Sequence, residues 1–356
     1  MAGVGVAAAV FLKLDNSAAR LHYPPAMVAV QVRGIKPELI VVAALVAMYV
    51  AARVAIGVLG RPDGSAPGRR ALAQWLPVPA TALAAVFMGA PDIAIGVVFG
   101  TSVASLSLVL GMTTYLAPLQ QLPPNRRVWP LVLPATIVSL VAGFSGRLTL
   151  FHAVLLLAMG GAFLAVWLEP PATDPAAPVQ AGFDDVSGAG WGFVAVALLV
   201  MALAAWGAVY GATHTAMQSR VLTPALLAAA ILSPLLVLPA LGESGMLAQR
   251  GYCGQAVTAL VGTVLLNLCA LLPVLVFAHR MMLALARARG AGEAADPLPY
   301  PLSVWRVDTV VLLLLAFALV PVAMGRWLPE RFESILLVVI YAAYLVVETM
   351  LAARLF

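Results

Sequence analysis

Ionisable side chains are rare inside the apolar stretches of this 356-residue chain. A charge at the centre of a bilayer costs at least ~2.5–3.5 kcal/mol, so each one there needs a reason. Glu243, Glu348, Arg53 and Asp308 fall within or at the ends of such stretches. Asn267 joins them, because an amide in lipid must find hydrogen-bond partners. Ser102, Ser105, Ser107, Thr113 and Thr114 make one stretch rich in hydroxyls, which commonly bond the carbonyls of the preceding turn. Glu348 either pairs with a neighbour or faces a polar seam, or, the favoured reading, snorkels toward headgroups as Arg53 is expected to do; Asp308, beside Arg306, reads as a cap or a local ion pair. The chemistry open to such a set is ion coordination. An enzyme would need a nucleophile with a base, or a metal cluster. No GxSxG, HExxH or paired-Asp pattern occurs in the apolar stretches, and the four histidines are scattered. Cys253 and Cys269 share one apolar stretch and read as small buried side chains, not as a disulfide or a metal motif.

The elements that carry these residues follow from composition. The chain is 63% hydrophobic and only 10% charged, with a mean hydropathy of +1.02. Soluble domains average roughly 25% charged, so lipid is the natural solvent here. In lipid every backbone polar group must be satisfied internally, so long apolar runs read as helices. Ten are expected: 37–59, 72–89, 91–116, 128–145, 149–168, 190–212, 221–248, 254–279, 303–324 and 331–351. Short polar links such as RPDGSAPGRR and LPPNRR join them. The longest, 169–189, is rich in Pro, Ala and Asp and has no Lys or Arg. It divides the chain into a tail (1–36), a first five-helix unit (37–168), the linker, and a second five-helix unit (190–356). Lys and Arg are spread almost evenly over the two sides, so the positive-inside rule does not fix the orientation. The net charge of +5 reads as headgroup anchoring, not nucleic-acid binding.

The two halves share a pattern. PVPATALAAVFMGAPDIAIGVVFGTSVASLSLVLG starts at Pro77, and PALGESGMLAQRGYCGQAVTALVGTVLLNLCALLP starts at Pro239. At an ungapped offset of 162, Pro77 meets Pro239, Gly89 meets Gly251, Gly100 meets Gly262 and Thr101 meets Thr263. Each half then reads as a helix interrupted near proline, a glycine-marked turn, and a second helix with Gly-Thr near its middle. Five helices per half would invert the second copy in the membrane. Inverted repeats with broken helices are a signature of secondary transporters.

With these motifs the chain resembles the sodium/calcium exchanger family of calcium/cation antiporters. That family carries a G-T-S-x-P-E segment and a G-S-N-x-x-N segment in its alpha-repeat. The second segment falls here on Gly100-Thr101-Ser102-Val103-Ala104-Ser105, and the first on Ala73-Gln74-Trp75-Leu76-Pro77-Val78. In the second half the registration gives Gly262-Thr263-Val264-Leu265-Leu266-Asn267, with Pro239-Ala240 in place of Pro-Glu. The resemblance implies an all-α polytopic membrane protein, about ten transmembrane helices as two inverted five-helix repeats. It also exposes a departure. The family's two glutamates are replaced by Val78 and Ala240; of its Asn positions, three hold Ser102, Ser105 and Val264 and only Asn267 keeps its family identity.

Ca²⁺ takes six to eight oxygens, several usually from carboxylates. The expected site has at most one. Glu243 lies one helical turn beyond Ala240, where it either faces the same cavity as Asn267, Ser102 and Ser105 or meets water near Arg250. With Thr101 and Thr263 the first arrangement gives one carboxylate and several neutral oxygens, which suits a monovalent cation or a proton. The expected function is a secondary cation antiporter of altered selectivity, with Na⁺, H⁺ or Ca²⁺ as transported ions and no cofactor. The alternative is a non-transporting scaffold of the same fold. The expected partners are the bilayer and small cations, in a bacterial inner (plasma) membrane, with no nucleic acid.

Overall fold

The computed structural model describes residues 36–59, 67–119, 129–168, 191–219, 223–288, 297–300, 305–324 and 326–354. The expected tail, apart from Lys36, and the 169–189 linker lie outside them. The described residues are almost entirely helical.

Helix α1 (Pro37–Leu59) is 23 residues long, about 35 Å at 1.5 Å per residue, enough to cross a hydrocarbon core. Its Val42, Val46 and Val50 face outward, while Ala44, Met48, Ala51 and Ala55 are buried. The buried face lies along α7 (Trp191–Gln218). Small residues permit that approach: a Cβ on Gly211 would sit 2.8 Å from the Pro37 carbonyl. With no hydrophobic driving force between helices in lipid, such close packing is a main source of association.

The next span is broken. Helix α2 (Pro67–Trp75) and helix α3 (Pro77–Phe87) meet at Leu76. Pro77 lacks an N–H and its ring opposes a continuous ladder, so a new helix starts there. Helix α4 (Pro91–Leu116) follows and is almost wholly enclosed. Then come α5 (Val132–Phe144) and α6 (Leu150–Leu168). In the second half α8 (residues 224–236) breaks at Val237, and α9 (Leu238–Gln249) begins with Pro239 at its second position. Helix α10 (residues 253–288) is again central, followed by α11 (residues 305–323) and α12 (Arg331–Arg354).

The interruptions recur at the 162 offset. Gly89 (φ +74°) and Gly251 (φ +85°) both take the left-handed conformation that closes a helix. In each case the following amide, Ala90 or Tyr252, donates back to a carbonyl five residues earlier. Helix α4 contains a π-turn at Ser105–Val109, and α10 contains one at Asn267–Leu271.

Among the described residues, seven helices are long and apolar enough to span a membrane, and three shorter apolar ones accompany them. Helix ends depart modestly from expectation. Helix α10 runs on to Ala288 because its polar end, with His279 and Arg280, contains no breaker. A short strand pair also occurs among the described residues. Strand β1 (Arg147–Leu148) pairs antiparallel with β2 (Leu298–Pro299), and the Tyr300 amide donates to the Gly146 carbonyl at 3.0 Å.

Candidate functional site

The enclosed centre is built where α2, α4 and α10 meet. Asn267 opens the π-turn of α10 and is 1% exposed. Its Oδ1 accepts from Trp75 Nε1 at 2.8 Å. Its Nδ2 donates to Thr101 Oγ1 at 3.1 Å and to Ser102 Oγ at 3.0 Å. Indole nitrogen is only a donor, so the amide orientation is fixed: oxygen toward Trp75, both hydrogens toward α4. The two hydroxyls pass their own hydrogens to Val97 and Val98 carbonyls at 2.6 and 2.7 Å. Every hydrogen in the network is therefore used.

Electrostatically this centre is neutral and closed. Two N–H bonds, positive at their ends, point at the hydroxyls that would otherwise turn oxygen toward a cation. Val78 and Ala240, the residues expected at the motif's glutamate positions, are both 4% exposed. Among the described residues no group of three or more His, Cys, Asp or Glu is arranged to hold a metal.

The other expected positions are distributed around it. Ser105 opens the π-turn of α4, one helical turn from Ser102, and is buried. Thr263 lies one turn before Asn267 and donates to the Leu260 carbonyl at 2.7 Å. Gly100 presses α4 onto α8: a Cβ there would come within 2.5 Å of Ser233 Oγ and 2.8 Å of Ala229 Cα. Gly262 is buried within α10. Pro77 and Pro239 stand at the two breaks. Glu243 is paired with Arg53, Oε2 to Nη1 at 3.6 Å, at 14% and 34% side-chain exposure. Arg53 thus turns to α9 rather than to headgroups, because a carboxylate lies within reach. Ser107, Thr113 and Thr114 bond carbonyls one turn back in their own helix, and Thr114 also meets the Ser334 hydroxyl at 2.8 Å.

Asp308 departs from the expected cap, and Glu348 follows its alternative reading, a neighbour at a polar seam, rather than the favoured one. Asp308 is fully buried and Glu348 is 3% exposed, so neither caps nor snorkels. They interact with one another across α11 and α12. The reason is the seam of α12: Tyr341, Tyr344 and Glu348 follow at spacings of three and four, on one face turned inward. That spacing was present in the sequence. Trp75, half-buried directly before the break, is a further member of the site, and its one trace in the sequence is an indole N–H that needs a partner in an apolar setting. Its neighbour Gln74, 3% exposed, has neither amide atom hydrogen-bonded among the described residues.

Tyr300 links the two regions. Its ring stacks on Phe99 of α4 at 5.4 Å. Its hydroxyl meets Thr309 Oγ1 at 2.7 Å. Burial pushes this phenol well above its usual titration range, so it acts as a neutral hydrogen-bonding group.

Comparison with known proteins points one way. The family model described as sodium/calcium exchanger protein matches residues 71–168 and 189–350. A crystal structure of the H⁺/Ca²⁺ exchanger CAX superposes with a TM-score of 0.66 at 12% identity, covering 91% of this chain and 88% of that one. The structure of native YfkE gives 0.61 at 16% identity, covering 87% and 89%. The sodium-calcium exchanger NCX_Mj, soaked with Na⁺ and Sr²⁺, gives 0.58 at 18% identity, covering 87% and 97%. At these identities the likeness is one of fold. No curated protein matches the chain in sequence.

Proposed function

The chain belongs to the sodium/calcium exchanger protein family, and from that premise we propose that it is a secondary cation antiporter whose central site does not take Ca²⁺. The observation that carries this reading is the closed network of Asn267 with Trp75, Thr101 and Ser102. A divalent ion there would meet amide hydrogens and no carboxylate, against its need for six to eight oxygens. A monovalent cation is the class of ion that fits, with Ser105 and Thr263 one turn away as further oxygens. Glu243 enters as a carboxylate whose charge Arg53 compensates.

The matched breaks, left-handed glycines and π-turns support two inverted five-helix repeats, 37–168 and 190–356. A bacterial inner membrane suits the short polar links and dispersed basic residues.

Purified protein in liposomes tests the function. Na⁺ or H⁺ flux above that of empty vesicles, without Ca²⁺ flux, is the expected result. Robust Ca²⁺ exchange would overturn the altered selectivity. The second reading is a non-transporting scaffold, favoured by the same closed network. Absence of flux for all three ions from a folded protein would select it.

A further inference from the structure

Asp308 and Glu348 lie at the seam of α11 and α12, outside the central network. Asp308 belongs to a π-turn, Trp305–Thr309, at the start of α11. Both carboxyl groups are enclosed, at 0% and 3% exposure, and Tyr341 and Tyr344 are buried beside them at 5% and 2%. The groups that act on Asp308 electrostatically are Glu348, Tyr344, Tyr341 and Tyr300. None of these is a cation. Arg306, two residues before Asp308, has an interaction and is not among the groups that act on Asp308.

A structural carboxyl pair would be tied off by hydrogen bonds, because burying an unsatisfied polar atom is costly. Here both oxygens of Asp308, Oε1 of Glu348 and both tyrosine hydroxyls lack a hydrogen bond of full geometry, although Asp308 lies near enough to Glu348 and to Tyr344 to bond either. Tyr344 in particular is a buried hydroxyl that interacts with both carboxyl groups. Three buried carboxyl oxygens thus face two tyrosine O–H donors, and acceptors are in excess. Two adjacent carboxylates in a low-dielectric seam repel one another, so the pair needs one positive charge to be stable there. The smallest charge that requires no coordination sphere is a proton.

We infer that Asp308 and Glu348 together bind one exchangeable proton, making the proton one of the two ions that this antiporter exchanges. The second half of that statement rests on the antiporter reading above; proton binding itself does not. The dyad is also connected to the centre. Thr309, next to Asp308, meets Tyr300; Tyr300 stacks on Phe99; and Phe99 lies two and three residues before Thr101 and Ser102, which hold Asn267.

Infrared difference spectroscopy on the purified wild-type protein tests proton binding directly. The expected result is a protonated-carboxyl band that disappears as the medium is made alkaline, and that both Asp308→Asn and Glu348→Gln abolish. A wild-type spectrum with no titrating carboxyl band overturns the inference, as does a band that responds to Na⁺ but not to pH. In liposomes, proton-gradient-driven cation flux should fall at least ten-fold in Asp308→Asn, while Tyr344→Phe, which keeps both carboxyls, retains the band at a shifted frequency. A folded Asp308→Asn variant with wild-type gradient-driven flux overturns the transport half. If the wild type moves no cation, the antiporter reading falls, and the band titration still decides whether the dyad binds a proton.

Discussion

Trp75 Nε1 donates to Asn267 Oδ1 at 2.8 Å, joining the last residue of α2 to the first residue of the π-turn in α10. These residues are 192 positions apart in the chain. The contact fixes which way the amide points, and with it the sign of the field at the centre of the protein.

Replacing Trp75 with Phe keeps the ring bulk and removes the donor. The amide oxygen of Asn267 is then buried without its partner, which costs about 1–3 kcal/mol. A lower melting temperature in detergent is the expected outcome. An unchanged value would mean that the amide finds another donor.

Asn267→Asp introduces a carboxylate into the centre without changing its size. Trp75 remains as a donor, Thr101 and Ser102 remain as hydroxyl oxygens, and the amide hydrogens that oppose a cation are gone. The expected outcome is Ca²⁺ binding at least ten-fold tighter than in the wild type, about 1.4 kcal/mol, read by calorimetry or by Ca²⁺-dependent thermal stabilisation.

Glu243→Gln breaks a partly exposed ion pair, and such pairs contribute ~1 kcal/mol or less. Stability should barely change. Cation flux should persist if Asn267 is the site's anchor, whereas its loss in a folded variant would move the site to Glu243.

Gly100→Val drives a side chain into Ser233 and Ala229 of α8. Overpacking of this kind costs about 1–3 kcal/mol and forces α4 away from its neighbour. A drop in melting temperature together with lost flux is expected. Gly89→Ala, which has open space but a φ of +74°, should cost about 1–2 kcal/mol through backbone strain alone.

Much of the fold is legible in the sequence for one physical reason. Lipid allows no unsatisfied backbone, so apolar runs such as 37–59 and 91–116 become helices with those bounds. Where the solvent changes, that constraint lapses. The ends of α7 and α10, which continue past their apolar runs to Gln218 and Ala288, were accordingly read short. The polar contacts were harder. Asn267 was recognisable because an amide in an apolar run needs partners, but its partners depend on how three helices meet. Asp308 looked like a cap because Arg306 stood near it. Only the packing of α11 on α12 turns it toward Glu348, and the Tyr341, Tyr344, Glu348 spacing was the one trace of that in the chain.

The short ladder between β1 and β2 has a mechanical meaning. It ties the link between α5 and α6, in the first half of the chain, to the stretch just ahead of α11 in the second. If the halves rock against each other, these two stretches must travel as one body or part their backbone bonds. The rung is thus a pivot, and distances measured between labels at Arg147 and Leu298 should stay constant while the rest of the protein moves.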